Sequence, residues 1–97
     1  MSISRIGKLQ AQEGSTEELR EFLISIMPGI KAADGCESVQ LYQSQEDPSS
    51  FTMIEVWDSI ESHQASVRNI STEKLGEIRQ YLASSPSGSY FNLVDQK

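Results

Sequence analysis

Leu19, Phe22, Leu23, Ile26 and Ile30 fall three or four positions apart, the spacing of one apolar stripe on a helix. Ser15 opens that helix, with Glu18 three residues on. The pattern predicts a capping box, in which the serine hydroxyl takes the Glu18 N–H and the carboxylate reaches back. Pro28-Gly29 predicts a kink or the end of a first segment, because proline removes a backbone donor and crowds the preceding turn. Asp34-Gly35 closes the element. Strand patterns flank it. Ile3 to Ala11 precedes it and stops at Glu13-Gly14. Cys36 to Gln45 follows, with Val39 and Leu41 on one face and Cys36, Ser38, Gln40 and Tyr42 on the other.

The short polar link Glu46-Asp47-Pro48-Ser49 predicts an antiparallel hairpin into a third strand, Ser50 to Trp57. There Thr52, Ile54 and Val56 share one face while Phe51, Met53, Glu55 and Trp57 share the other, and both faces are largely apolar. Asp58, with Glu61 three residues later, reads as the cap of a second helix running to about Asn69. Ser71 caps a third helix whose apolar positions are Leu75, Ile78, Tyr81 and Leu82. Ser84 to Gly88 reads as a loop around Pro86, and Tyr90 to Val94 as a short last strand.

The order β, α, β, β, α, α, β predicts an α+β, ferredoxin-like fold: a four-stranded antiparallel sheet with helices on one face. One domain over 1–97 is expected. The opposite sheet face would be bare, and Phe51, Met53 and Trp57 are candidates for it, too much apolar surface to leave in water. Two sheets packed face to face into a dimeric α+β barrel would cover it. A homodimer is therefore expected, and a chain this short, burying only about 60 to 65% of its unfolded surface, gains from a partner.

Composition narrows the function classes. A net charge of −6, with eight Lys and Arg scattered singly, leaves no electrostatic footprint for nucleic acid. No apolar run approaches the roughly 18 to 20 residues of a membrane span, and the polar opening from Met1 to Gln10 gives no expectation of a signal peptide. One cysteine, Cys36, excludes an intramolecular disulfide, and with one histidine it cannot complete a four-ligand zinc site. A reducing cytoplasm is the expected compartment, no metal is expected, and Asn69-Ile70-Ser71 is not read as a glycosylation site.

The candidate chemistry gathers between Phe51 and His63. Glu55 is an acid inside an apolar strand and needs a partner, for which Arg5 on the first strand is the candidate, in an ion pair at the dimer interface. Trp57 reads first as a packed ring and second as a wall for a flat aromatic ligand. His63, the only histidine, reads as a half-buried hydrogen-bonding residue or, if it lines a cleft between helices and sheet, as a general base for a phenol proton. Tyr42 and Tyr90 are packing residues or pocket walls, and Asn92 on the last strand is a candidate donor to a substrate oxygen. Cys36 is read as a small buried thiol. The loop before Tyr90 carries no phosphate-binding lysine and starts no helix.

Four segments resemble the antibiotic biosynthesis monooxygenase-like family of the dimeric α+β barrel superfamily: EGSTEELREFL at Glu13 to Leu23, DGC at Asp34 to Cys36, FTMIEVWDSIESH at Phe51 to His63, and PSGSYFNLV at Pro86 to Val94. The resemblance implies the barrel dimer. It also implies a cofactor-independent monooxygenase of a small phenol- or quinol-type aromatic, using dioxygen without metal or flavin. Haem-degrading members of that superfamily use an Asn on the first strand and a Trp on the second helix; aligned on Gly14 and Trp57, this chain has Gly7 and Val67 there, and His63 is too early for their ligand. Two readings compete with the enzyme: a non-catalytic ligand-binding or stress-related dimer, and a purely structural interaction module. A pocket near His63 supports the first two, and a solid core there the third.

Overall fold

A computed structural model describes residues 2–94 of the chain. The elements follow the expected order: β1 (Ile3–Gln10), α1 (Thr16–Lys31), β2 (Cys36–Gln43), β3 (Ser50–Trp57), α2 (Ile60–Arg68), α3 (Thr72–Arg79) and β4 (Ser87–Phe91). The strands form one antiparallel sheet in the order β2-β3-β1-β4, the ferredoxin-like arrangement. The hairpin between β2 and β3 is present, with Leu41 opposite Met53.

The register settles which face is covered, and it reverses one expectation. Phe51, Met53 and Trp57 are almost wholly inaccessible, and Leu19, Phe22 and Leu23 of α1 pack with the first two over the sheet. These rings face the helices, not the bare side. The opposite face carries Thr52, Ile54 and Val56, with Ile6 paired to Ile54 and with the half-exposed Tyr42 and Phe91. Alternation alone could not choose, since β3 is apolar on both sides. Volume decides: the bulky rings take the face where α1 supplies a second layer. Glu55 shares that inner face, so it lies beneath the helices and not on the open sheet face.

Local signals were partly displaced. The Ser15 side chain makes no cap bond. Its backbone carbonyl instead accepts from Leu19 at 2.9 Å. The cap of α2 is Ser59, not Asp58: extended at φ −162°, ψ 160°, it accepts from the Ser62 N–H. Asp58 is one residue too early, because its own N–H donates to the Gly35 carbonyl at 2.8 Å, while its carboxylate receives the Ser62 hydroxyl at 2.6 Å. Ser71 caps α3 as expected, accepting from the Lys74 N–H at 3.2 Å.

Helix α1 runs unbroken through Pro28 to Lys31. The carbonyl that proline deprives of a donor belongs to Ile24, and both residues are exposed, so water takes the bond. The last strand lies earlier than its sequence suggested. Ser87 and Gly88 pair with Lys8 and Gly7, and Asn92 to Val94 fall beyond it. No described helix is long and apolar enough to cross a membrane.

Candidate functional site

Two features sit at opposite ends of α2. At its first turn is a buried polar cluster. Ser59 fixes the start of the helix so that His63 points inward between Trp57 of β3 and Tyr90 of β4, with only 8% of its surface accessible. Both aromatic rings meet the imidazole edge-on, with centroids at 5.6 Å and 5.4 Å. The Tyr90 hydroxyl lies 2.7 Å from Nδ1, and Nε2 lies 4.0 Å from Oε1 of Glu55. That same carboxylate oxygen accepts the Trp57 indole N–H at 2.9 Å.

The tautomer sets the direction of the His63–Tyr90 hydrogen bond. With the N–H on Nε2, towards the carboxylate, Nδ1 is the acceptor and Tyr90 donates. Burial, and then the charge of Arg5, lowers the His63 pKa from its ordinary value, which favours this neutral form. Burial raises the Glu55 carboxyl above its usual value, against the opposing pull of the Trp57 hydrogen bond and Arg5. Cross-strand partners in the register, Arg5 and Glu55 make no close ion pair. The guanidinium lies over the Tyr90 ring, 5.0 Å from its centroid, and against Gly88, where a Cβ would come within 2.7 Å of it. Arg5 therefore acts on Glu55 through space, and the contact expected between them is replaced by a cation–π contact.

The second feature is a cleft of about 540 Å³ between α1 and the α2–α3 junction. Phe22, Ile26 and Ile30 form its α1 wall, and Ile70, Leu75 and Ile78 the opposite one. Leu75, read from its spacing as a core position, is 40% exposed and opens into this space. Ser25, Ser66, Asn69, Ser71 and Lys74 supply its polar groups. The volume falls within the range of small-molecule sites, about 300 to 1,000 Å³.

The sequence therefore named residues that meet, but not the ones that line the space. Trp57, His63, Tyr90 and Glu55 gather as one closely packed cluster and none borders the cleft, so the pocket expected near His63 is replaced there by solid core, and the open space lies instead at the far end of α2. Tyr42 projects from the open sheet face, 50% exposed, and Asn92 follows β4, so neither joins them. Asn69 and Lys74 were not singled out. Their signal was the brief polar interruption between Arg68, the end of α2, and Thr72, the start of α3. Cys36 is half-buried, its thiol donates to the Ser38 carbonyl at 3.6 Å, and burial raises its pKa, as does the nearby Glu55. The raised pKa disfavours the nucleophilic thiolate form. Among the described residues no three His, Cys, Asp or Glu side chains gather to hold a metal ion.

The fold recurs in solved structures. An antibiotic biosynthesis monooxygenase-family protein from Bordetella bronchiseptica superposes with a TM-score of 0.84 at 22% identity, covering 96% of this chain and 97% of that one. Another, from Chloroflexus aurantiacus, gives 0.80 at 28% identity, with 100% and 97% covered. SnoaB, a cofactor-independent oxygenase from Streptomyces nogalater, gives 0.84 at 10% identity, with 98% and 95% covered. No curated relative matches the sequence. The family model for antibiotic biosynthesis monooxygenase matches residues 2–79, the length from β1 through α3. The chain belongs to the antibiotic biosynthesis monooxygenase family.

Proposed function

We propose that the protein takes a small, flat, largely apolar molecule into the cleft between α1 and the α2–α3 junction, and oxidises it as a cofactor-independent monooxygenase of phenol- or quinol-type substrates. The cleft carries this reading: it has the volume for a fused-ring molecule and two apolar walls to sandwich it. The reaction balances without a bound cofactor. A phenol of formula ArH(OH) gives two electrons as its ring C–H becomes a second carbonyl and two as its O–H is oxidised; one atom of dioxygen enters the quinone and the other leaves as water.

In this reading His63 is a positioning residue. Its ring is enclosed and its Nδ1 engaged by Tyr90, so its part is to seat α2 on the sheet and thereby set the far wall of the cleft. The substrate must then arrive ionised or lose its proton to water. One observation favours a second reading, a binding protein without oxygen chemistry: the cleft lining holds no histidine, cysteine or carboxylate. Dioxygen consumption measured with a panel of quinols and hydroxylated polycycles separates the two. Uptake that disappears when the cleft is filled supports the enzyme. Tight binding of the same compounds without uptake supports the binding protein.

We further propose a homodimer formed through the open sheet face. Ile6, Ile54 and Val56, flanked by Tyr42 and Phe91, form an apolar patch that a second copy would bury.

A further inference from the structure

We propose that the ligand of the cleft carries one anionic oxygen, and that Lys74 and Asn69 at the α2–α3 junction hold it. This rests on the cleft being the ligand site, and it specifies the ligand. Both walls are largely apolar, and the charged and amide head groups lie on one of them. On the α1 side Phe22, Ile26 and Ile30 present hydrocarbon, while Lys74 and Asn69 stand across from them.

Two of the three cleft serines donate their hydroxyl proton to helix carbonyls, and the third, Ser71, accepts a backbone N–H and keeps its own proton. Ser25 donates to the Phe22 carbonyl at 2.6 Å and Ser66 to the His63 carbonyl at 2.9 Å, while the Ser71 hydroxyl accepts from the Lys74 backbone N–H. The Asn69 amide and the Lys74 ammonium are different. Among the described residues Arg20 pairs with Glu17 and the neutral His63 approaches Glu55, and no side-chain hydrogen bond there involves the Asn69 or Lys74 head group.

Charge adds an independent argument. The protein carries a net charge of −6, yet the only ionisable side chain lining this cleft is a cation. Against low-dielectric walls such a charge attracts an anion more strongly than the same lysine does in open water. An amide beside it supplies a directed N–H to the same oxygen. A flat apolar body bearing a carboxylate or a phenolate fits both walls at once.

The test uses two fluorescent probes of nearly the same shape, the anion 1-anilinonaphthalene-8-sulfonate and the neutral N-phenyl-1-naphthylamine, titrated into the intact protein. The sulfonate should bind about tenfold more tightly, the value of one charge-assisted hydrogen bond. Lys74→Met should lose that preference and leave the neutral probe within about twofold, while Lys74→Arg keeps it. Methionine matches lysine in helix propensity and Lys74 is exposed, so the variant folds.

Gly29 locates the probes. It lines the cleft, a Cβ there meets nothing within 4 Å, and Gly29→Leu fills the space without disturbing the helix, so it should abolish binding of both. Displacement of the sulfonate by 2-naphthoate or by 2,4-dinitro-1-naphtholate, but not by 2-naphthalenemethanol, supports the proposal and tells carboxylate from phenolate. If both probes bind, Gly29→Leu blocks both and Lys74→Met changes neither, the anion proposal is wrong and the cleft reading stands. If neither probe binds, or Gly29→Leu leaves both in place, the cleft reading falls and takes this proposal with it.

Discussion

Replacing Tyr90 with phenylalanine removes one oxygen atom and tests the cluster that seats α2. The ring stays: its edge-on contact with His63 and its place under Arg5 need no hydroxyl. What is lost is the 2.7 Å bond to Nδ1 of an imidazole that is 8% exposed. An acceptor this enclosed is not rehydrated without opening the helix, so the cost is that of an unsatisfied buried group, about 1–3 kcal/mol. For a chain of 97 residues this lowers Tm by roughly 5–20 °C. Urea melts should show the midpoint moving with m unchanged, at one fixed protein concentration because an associating protein gains stability by mass action. His63→Leu is the companion. In the double variant the orphaned nitrogen is absent, so its loss should be smaller than the two single losses added, by about 1 kcal/mol or more. A Tyr90→Phe variant within about 0.5 kcal/mol of the parent, or strictly additive losses, would refute the reasoning and reduce the cluster to ring packing.

Three further outcomes follow from the same coordinates. Gly35 and Gly14 both have positive φ, 87° and 85°, but a Cβ on Gly35 would meet Ser62 Oγ at 2.5 Å and Asp58 Oδ1 at 2.6 Å, whereas one on Gly14 meets nothing within 4 Å. Gly14→Ala should therefore cost only left-handed backbone strain, about 1–2 kcal/mol, and Gly35→Ala clearly more, compared by urea melts. In acid, the unfolded chain takes up a proton near the ordinary His value of 6.5 that the folded His63 refuses, so His63 subtracts stability as pH falls below that value. Glu55 has the opposite sign: its carboxyl is raised above 4.5, so the folded state takes that proton first and acidification through this range restores stability. Glu55→Gln should thus lose stability more steeply than the parent between pH 6.5 and 4.5, and His63→Gln less steeply, and equal slopes would contradict both directions. Finally, Ile54→Lys places an ammonium at the centre of the open sheet face and should convert a dimer to monomer in light scattering, while Gln40→Lys on the more exposed neighbouring strand position does so less.

Element order was legible because α1 and α3 repeat their apolar residues at three or four, α2 opens on capping residues, and turn signals bound the strands. None of these signals says which side of β3 is inside, since Phe51-Met53-Trp57 and Thr52-Ile54-Val56 are both apolar sets. That choice belongs to packing: the larger set needs the deeper layer, which α1 provides over Phe51 and Met53 and α2 over Trp57. The cap of α2 was misplaced for a comparable reason. Asp58 and Ser59 are both good capping residues, and the choice was made by Gly35, from the end of another turn, whose carbonyl claims the Asp58 N–H.

Trp57 and His63 stood out in sequence because each occurs once and Glu55 because an acid interrupts an apolar strand, and such features mark what is costly to bury, not what touches a ligand. Tyr90 joins them by its bond to His63, 27 residues away, a pairing that exists only once β4 lies beside β1. The groups that face the cleft are common ones, an asparagine and a lysine on a polar junction, and nothing in a one-dimensional pattern separates them from any solvated helix end. Yet the two features are one mechanical unit. Helix α2 is nine residues long, with His63 fixed in its first turn and Ser66, one turn on, already on the cleft and bonded back to the His63 carbonyl. A helix so short cannot shift at one end without moving the other, so the buried histidine sets where Asn69, and through Ser71 the start of α3 with Lys74, stand against α1. Tyr90→Phe should then weaken probe binding in the cleft as well as stability, although no atom of Tyr90 borders it. Loss of stability with probe affinity unchanged would show instead that the cleft holds its shape without the cluster.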